Sequence, residues 1–306
     1  MDIRDLRYFV TAAEIGHIHH AAAKVGRSQP AITKSIRRLE SELGTRLFEP
    51  EGRGLRLTSV GQVLLVRARG IIRTMNETIR EVAEVAKGYS GHVRIGAGPT
   101  MAVWLLPALV SQLLALSPGI TFAITTGLAD VLRQDLRDGH LDFVVGPLSE
   151  SDKTEFSSFV IADDTVVVAV RPQHPLRKQL VTIQALEPFG WLLPRKSVNS
   201  IAWLNRVFDL HELPQPRIQI EADTVLMLHR IVEQTDLITF ISRRDLANGE
   251  GNTLCELPIK QLVLRRHLGL IQIVGRYMPP AAEYIVALLR DSGKAMMPDE
   301  PRCVAK

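Results

Sequence analysis

Residues 21–47, AAAKVGRSQPAITKSIRRLESELGTRL, have the pattern of two short helices joined by a turn. The second helix is predicted to begin at Ser28-Gln29-Pro30. Ser28 is a favoured N-cap residue type, and Pro30 in the first turn loses no hydrogen bond, because the first N–H groups of a helix have no intrahelical partner. The pattern predicts a helix-turn-helix, in which the second helix enters the DNA major groove.

The predicted second helix has two chemically different faces. Its apolar residues recur at helical spacing and are expected to pack inward: Ile32, Ile36, Leu39 and Leu43. Its polar residues fall largely off that face: Gln29, Thr33, Lys34, Arg37 and Arg38. Amides, hydroxyls and cations suit base edges and phosphates. For this segment alone, an ordinary amphipathic helix with a solvated basic side is the alternative.

The flanking segments favour the DNA-binding interpretation. A first helix is predicted upstream, ended by Gly16, from apolar residues at helical spacing: Ile3, Leu6, Phe9, Val10 and Ala13. Downstream, the turn at 51–54 separates the apolar pieces 47–48 and 55–57 and predicts a wing. Arg53 at the tip of that wing is expected beside the phosphate backbone.

Composition bounds the class of protein. A chain of 306 residues has room for about two domains. Residues 1–88 carry a net charge of +5 and the remainder −1, so the N-terminal part suits a polyanion; charge scatter is the alternative. Two distant cysteines imply neither a disulfide framework nor a cysteine zinc site. No signal-peptide core and no membrane-length apolar run is present, so a cytoplasmic protein is expected.

A long helix is predicted from Thr58, as its N-cap, to about residue 87. Apolar residues form one stripe along it, at positions 60, 64, 68, 71, 75, 79, 82 and 86. A partner helix from a second subunit would cover this stripe, and packing on its own domain is the alternative. A homodimer also suits the two half-sites of a symmetric operator.

From residue 92 onward strands and helices alternate, which predicts a mostly parallel sheet covered by helices. Strands are expected at 92–96, 120–125, 142–145, 165–170, 191–193, 218–221 and 237–241, with further strand material at 262–273. Helices are expected at 104–116, 130–138, 225–233 and 281–290. Two α/β lobes would leave a cleft at the carboxyl ends of the strands, where open sheets bind small molecules. The tail from Met296 to Lys306 is expected to be disordered.

Thr100 and Met101 are the first candidates for effector contacts. They follow the first strand of the second domain at the start of a helix, where free N–H groups and a hydroxyl favour an anion. A role for Thr100 as a helix N-cap is the alternative. Further cleft residues are expected at strand ends and in the second lobe: Gly127, Gly146, Pro147, Arg195 and Thr224.

Motifs for catalysis are missing from the sequence. It contains no Gly-x-Ser-x-Gly, no Walker loop and no His-Glu-x-x-His, so neither an enzyme nor a cofactor is expected. His17, His19 and His20 could suggest a metal site, but no further ligand is close in sequence and none is expected.

A set of spaced residues resembles the LysR-type bacterial transcriptional regulators. The resemblance is dense over residues 1–65 and rests on Leu6-Arg7-Tyr8-Phe9, Ala21-Ala22, Ser28-Gln29-Pro30-Ala31, Ile36-Arg37-Arg38-Leu39-Glu40, Leu43-Gly44, Leu47-Phe48, Arg53, Leu57-Thr58 and Gly61. It continues more loosely at Leu105-Leu106-Pro107, Ser117-Pro118-Gly119, Gly139 to Asp142, and Gly146.

The resemblance implies an N-terminal winged helix-turn-helix, a long linker helix and a two-lobed, periplasmic-binding-protein-like α/β effector domain. The expected limits are 1–58, 59–88 and 89–306, with lobe I at about 92–161 and 268–295 and lobe II at about 162–267. It also implies a sensed small metabolite and assembly into a homotetramer. The helix start at Thr100 favours an anionic effector. A solute-binding receptor without DNA regulation is the alternative.

The resemblance also implies the roles of individual residues. Gln29, Pro30 and Thr33 would face bases, and Ser28, Lys34 and Arg53 would hold phosphates. His20 replaces an arginine that the family has near phosphate, so affinity for DNA is expected to rise as pH falls, because histidine gains charge between pH 5 and 8. Pro50 replaces another arginine, and Glu233 to Asp236 replace a glycine-rich turn.

Overall fold

The structure, a computed structural model, describes residues 1–52, 54–87, 91–149, 152, 155–178, 181–194, 198–222, 225–247 and 254–300. The chain forms two compact units, Met1–Ala86 and Lys87–Lys306. Within the part that the structure describes, every helix is too short or too polar to cross a membrane.

The first unit contains the predicted helices and wing. Its elements are α1 (Ile3–Ile15), α2 (Ile18–Lys24), α3 (Gln29–Leu43), β1 (Phe48–Glu51), β2 (Gly54–Leu57) and α4 (Ser59–Lys87). Gly16 ends α1 in the left-handed conformation, with φ of 72°. Buried apolar side chains from α1, α2, α3 and the start of the wing form one core, centred on Phe9, Ile32 and Leu39.

Two details of α3 differ from the prediction. Ser28 occupies the N-cap position, but its side chain makes no capping hydrogen bond. Leu43 was expected on the buried face, and 43% of it is exposed. Leu43 is the last residue of the helix, one turn beyond Leu39, and the core formed with α1 and α2 ends before it.

The wing is an antiparallel hairpin in which Phe48 pairs with Leu57 and Glu51 with Gly54. Its second strand is bound to the residue that ends α1, since the N–H of Leu55 donates to the carbonyl of Gly16 at 2.8 Å. A Cβ on Gly54 would lie 2.8 Å from that same carbonyl oxygen, so only glycine allows this approach. Arg53 lies outside the described residues.

Helix α4 begins as predicted, because the Thr58 hydroxyl accepts a hydrogen bond from the Gly61 N–H at 3.0 Å. The predicted stripe divides between two environments. Ala68 is fully buried and Leu64 partly buried on the winged unit, so the own-domain alternative holds for that part. Other stripe residues are exposed: Val60, Ile71, Ile79 and Val82.

The second unit is built on a mixed sheet with strand order β10-β6-β11-β5-β3-β4, with β9 also paired to β6. Its strands are β3 (His92–Ala97), β4 (Thr121–Thr126), β5 (Phe143–Pro147), β6 (Phe156–Val170), β7 (Trp191–Pro194), β8 (Ile218–Ala222), β9 (Thr239–Ser242), β10 (Cys255–Leu257) and β11 (Leu264–Ile273). Its helices are α5 (Pro99–Trp104), α6 (Leu106–Leu116), α7 (Ala129–Asp138), α8 (Val198–Leu210), α9 (Val225–Glu233), α10 (Arg243–Ala247) and α11 (Pro280–Met296).

The expected parallel pairing holds for the strands of lobe I, where β3 pairs in parallel with β4 and β5. The prediction is wrong for the strands that join the lobes: β11 pairs antiparallel with both β5 and β6. Strand β6 has 15 residues, nine more than the predicted 165–170, because its first half pairs with β11 inside lobe I.

Two long strands connect the two lobes. Strands β6 and β11 run through both, and their register shifts between Leu268 and Gly269. On one side of that shift lies a core of β3, β5, α5, α6 and α11, centred on Ile95, Leu109 and Phe143. On the other side, β7, β9 and α8 surround Trp191 and Phe208.

The expectation of a disordered tail is wrong for residues 296–300. Helix α11 extends to Met296, and Met297 is buried in the core of lobe I. The carboxylate of Glu300 then accepts hydrogen bonds from the Thr165 N–H at 2.6 Å and from the Thr165 hydroxyl at 2.9 Å. Specific partners on β6 therefore order a segment whose composition alone suggested disorder. Residues 301–306 lie outside the described residues.

Candidate DNA-binding surface and effector cleft

Helix α3 is fixed to α1 by a buried carboxylate. Asp5 on α1 is 1% exposed and accepts hydrogen bonds from the Ser35 hydroxyl at 2.5 Å and from Arg38 Nε at 2.7 Å. Burial acts to raise the pKa of Asp5, but the bonds from Arg38 and Ser35 outweigh it and leave that pKa lowered. The sequence groups Arg38 with the outward residues; its side chain is half exposed, and its guanidinium also binds the buried Asp5 carboxylate.

The other outward residues of α3 lie together at the surface. The four of them, together with Pro30, line one groove of about 510 Å³: Gln29, Pro30, Thr33, Lys34 and Arg37. All of these except Thr33 are exposed, and the Thr33 hydroxyl donates to the Gln29 carbonyl at 3.0 Å. An amide, a hydroxyl and two cations on one exposed helix face provide the donors and charges that base edges and phosphates require.

Ser28 and His20 lie beside this surface in sequence, and both are exposed. The Ser28 hydroxyl is not used as a helix cap, which leaves it available to a phosphate. The His20 ring packs near two other imidazoles, with centroids 5.4 Å from His17 and 5.8 Å from His19. Among the described residues, no group of three or more histidine, cysteine or acidic side chains could hold a metal ion.

The ends of three parallel strands meet at one edge of lobe I. Gly98 follows β3, Gly127 follows β4, and Gly146 and Pro147 close β5. The Gly98 N–H donates to the Val145 carbonyl at 2.8 Å, and the Gly127 N–H donates to the Ala97 carbonyl at 3.2 Å. The structure thus brings these predicted residues together. Arg195 and Thr224, predicted for lobe II, lie outside the described residues.

Thr100 and Met101 have different environments. The N-cap of α5 is Gly98, so the alternative role of Thr100 as an N-cap is wrong. Thr100 is 6% exposed, and its hydroxyl points to a partner on α10. Met101 is fully buried in the core of lobe I, so its side chain is closed to a ligand and only its backbone remains for a contact.

A carboxylate from lobe II occupies the corner beside Thr100. Asp245 on α10 accepts a hydrogen bond from Trp104 Nε1 at 2.9 Å and from the Thr100 hydroxyl at 3.3 Å. Burial raises the pKa of Asp245, and the bonds from Trp104 and Thr100 only partly offset that effect. Sequence reasoning missed Asp245 and Trp104, because a contact across 145 residues leaves no local pattern.

A buried ion pair lies next to the end of β5. Arg133 on α7 donates to the Asp152 carboxylate at 2.7 Å and 2.6 Å, and it also donates to the carbonyl of Pro147 at 2.8 Å. Both side chains are at most 10% exposed. This pair fixes the last residue of β5 at the edge where the ends of the parallel strands meet.

The two units together define a class of protein: a winged helix-turn-helix joined by a long helix to a two-lobed α/β domain. Residues 3–62 match the family model "Bacterial regulatory helix-turn-helix protein, lysR family", and residues 86–294 match "LysR substrate binding domain". The chain belongs to the LysR family of bacterial transcriptional regulators. It is therefore a DNA-binding regulator with an effector-binding domain and not an enzyme, and the alternative of a receptor without DNA regulation is wrong.

Curated relatives span nearly the whole chain. The chain is 29% identical to the SDS degradation transcriptional activation protein of a Pseudomonas species, over 98% of this chain and 99% of that protein. It is 32% identical to the transcriptional regulator PcaQ of Agrobacterium fabrum, over 84% of each chain.

Solved structures share the fold. Full-length CbnR in complex with its target DNA matches with a TM-score of 0.62 and 21% identity, over 95% of this chain and all of that one. The regulatory domain of Synechocystis CcmR, in complex with 2-PG, matches with a TM-score of 0.56 and 18% identity, over 65% of this chain and 97% of that one.

Proposed function

We propose that the protein regulates genes by reading an operator with the exposed face of α3 while an anionic small molecule binds between its two lobes. Gln29, Pro30 and Thr33 face bases, and Ser28, Lys34, Arg37, Arg53 and His20 contact phosphates. The observation that carries the DNA part is the single groove of α3, which gathers five of these residues on an exposed surface.

The effector part rests on the strand ends of lobe I. Thr100 supplies a hydroxyl. At Gly127, Gly146 and Pro147, which lie at the same edge, the ligand approaches the backbone closely. Met101 contributes its backbone, and Arg195 and Thr224 are the proposed contacts from lobe II. The solved complex of CcmR with 2-PG supports binding of a small molecule by this fold.

The proposed assembly is a homodimer that forms through α4, and two such dimers form a homotetramer. The exposed apolar residues of that helix support this: Val60, Ile71, Ile79 and Val82. An isolated 29-residue helix with such a stripe would expose it to water, which a partner helix prevents. The gene-regulating role places the protein in the cytoplasm, with the chromosome.

A selection of genomic DNA fragments by the purified full-length protein tests the proposal. We expect recovery of a few fragments that share a two-fold symmetric motif, and loss of that recovery with Lys34→Ala and Arg37→Ala combined. Repeating the selection with cell-extract metabolites, at constant ionic strength, tests the effector part of the proposal. An effector is expected to change which fragments are recovered or the affinity of the protein for them. Recovery no better than random competitor in both conditions would contradict the proposal.

A further inference from the structure

The contact between Asp245 and the Thr100–Trp104 pair joins the two lobes at the edge where the effector is proposed to bind. Helix α5 follows β3 in lobe I, and α10 follows β9 in lobe II. The two hydrogen bonds to Asp245, at 2.9 Å and 3.3 Å, connect side chains of these helices directly. A side chain of lobe II thus fills the donor corner of lobe I.

Chemically, the Asp245 carboxyl is what an anionic ligand would bring to the same place. Thr100 Oγ1 and Trp104 Nε1 are hydrogen-bond donors, and a carboxylate oxygen accepts from each of them. An external carboxylate beside Thr100 would meet both an occupied donor and a like charge. Two carboxylates that accept from the same donors would lie close together, and the electrostatic repulsion between them disfavours binding of both at once.

We propose that Asp245 is an internal ligand of the Thr100–Trp104 corner, which an anionic effector must displace in order to bind there. The inference rests on the proposed effector site. It gives effector binding a mechanical consequence, because displacement breaks the hydrogen bonds between α5 and α10 and frees the two lobes to change their angle. A ligand acts on a two-state protein through such a difference in contacts between the states.

The surroundings of Asp245 make the displacement reversible. Burial raises the pKa of Asp245, with the nearby Asp164 carboxylate acting in the same direction and the Arg266 guanidinium opposing it. The charge is therefore poorly solvated in place, and moving it into water restores hydration. An incoming carboxylate would accept from the same two donors, so the exchange keeps their hydrogen bonds.

Arg244 keeps the neighbouring part of α10 in position during this exchange. It is 4% exposed and donates to the carbonyl of Pro298, from the segment that follows α11, and to the carbonyl of Asp163 at 2.9 Å. Helix α10 thus remains attached to the C-terminal segment when Asp245 leaves the corner, and the change is confined to the cleft side of the helix.

A first measurement needs no ligand: hydrogen–deuterium exchange of α5 in the full-length protein. Asp245→Ala removes both hydrogen bonds between the lobes, and Trp104→Phe removes the shorter one. We expect the amides of residues 102–105 to exchange at least fivefold faster in Asp245→Ala and to exchange faster than in the unmodified protein in Trp104→Phe. Asp163→Ala removes a carboxylate that is 83% exposed and serves as the control, with no change expected. Unchanged exchange in Asp245→Ala would overturn the inference.

A second measurement uses acetate, succinate and benzoate as probes, in calorimetric titrations at constant ionic strength with chloride as the reference anion. We expect Asp245→Ala to bind at least one carboxylate with a Kd at least fivefold below that of the unmodified protein. Thr100→Val removes one donor of the corner and keeps the Trp104–Asp245 bond, so it should bind that carboxylate more weakly than the unmodified protein. A gain of affinity in one variant and a loss in the other cannot both arise from general destabilisation.

The outcomes separate this inference from the proposed effector site. Equal Kd values for Asp245→Ala and the unmodified protein would overturn the inference and leave the site intact. Carboxylate binding that Thr100→Val does not weaken would overturn the site itself. Binding of no carboxylate by any of the three proteins would overturn both.

Discussion

The carboxylate of Asp5, buried on α1, accepts a hydrogen bond from the guanidinium of Arg38 on α3 at 2.7 Å. Helix α3 is thus oriented by a side chain of the first helix as well as by apolar packing. Arg37, the preceding residue, lies in the exposed groove of α3. Two adjacent arginines therefore have different environments: Arg38 binds a buried carboxylate, and Arg37 lines the exposed groove.

Arg38→Ala is expected to lower the stability of the first unit by roughly 1–3 kcal/mol, because it leaves a buried carboxylate without its charged partner. Arg37→Ala is the matched control, with a stability change within about 0.5 kcal/mol. Urea unfolding, followed by hydrogen exchange in α1 and α3, measures both. Equal stability of the two variants would show that the Asp5–Arg38 pair does not hold the helix.

The stability of the same unit is expected to fall in acid. The folded state lowers the pKa of Asp5, so its contribution is fully present above the ordinary aspartate pKa of about 3.9 and is lost as pH falls through the lowered folded pKa. Exchange rates in α1 and α3 measured from pH 5 to pH 2.5 test this. Asp5→Asn should flatten the dependence, and an unchanged profile in that variant would contradict the assignment.

Gln29→Ala is expected to relax the choice of operator sequence by about 1–3 kcal/mol at one base position if the amide reads a base edge. Competition binding against operators substituted at each position measures the effect. Lys34→Ala provides the contrast, since loss of a phosphate contact weakens all sequences alike. A uniform loss with Gln29→Ala would assign that residue to the backbone instead.

Lobe II contains a buried histidine whose pKa is lowered by the fold. His174 is fully buried, and its Nδ1 accepts from the Leu176 N–H at 3.2 Å while Nε2 lies 3.2 Å from the Asp236 carbonyl. Burial lowers the pKa of His174, partly opposed by the bond to Asp236. The unfolded chain therefore binds the proton more readily than the folded one.

Stability of lobe II is accordingly expected to fall as pH drops below about 6.5, the ordinary histidine pKa, at up to about 1.4 kcal/mol per pH unit. Urea unfolding at pH 7.5 and pH 5.5 measures the difference. His174→Gln should be less stable at pH 7.5 but lose less on acidification, and His267→Gln, at a mostly exposed histidine, should behave like the unmodified protein. A larger acid loss in His174→Gln would refute the assignment.

Glu300→Ala is expected to destabilise the second unit by roughly 1–3 kcal/mol, because it leaves the buried Thr165 N–H and hydroxyl without this acceptor. Asp299→Ala changes the exposed neighbouring carboxylate and should have little effect. Thermal unfolding of the two variants side by side distinguishes them. Identical melting temperatures would mean that the C-terminal segment does not stabilise β6.

Local pattern was enough to predict the elements whose ends depend on nearby residues. Gly16 ends α1, Thr58 caps α4, and the apolar spacing of α3 identifies its buried face up to Leu39. Strand β5 of lobe I is predicted for a related reason, since a parallel buried strand has a continuous apolar run.

Contacts between distant segments could not be predicted in this way. The partner of Arg38 lies 33 residues away and that of Thr100 lies 145 residues away, so neither leaves a periodic signal. The order of residues 297–300 depends on Thr165 and Arg244, which composition does not reveal. The antiparallel pairing of β6 with β11 likewise joins two distant segments of the chain, and neither segment alone indicates its direction relative to the other.

The salt dependence of operator binding tests the central claim most directly. If the α3 groove is the DNA-binding surface, Arg37→Ala should reduce the slope of log K against log salt by about 0.9, the value for one lost phosphate contact, while the fold remains stable. Arg38→Ala, measured under conditions where it is folded, should leave that slope unchanged. A slope that Arg37→Ala does not alter would contradict the account and direct the search for the DNA-binding surface elsewhere.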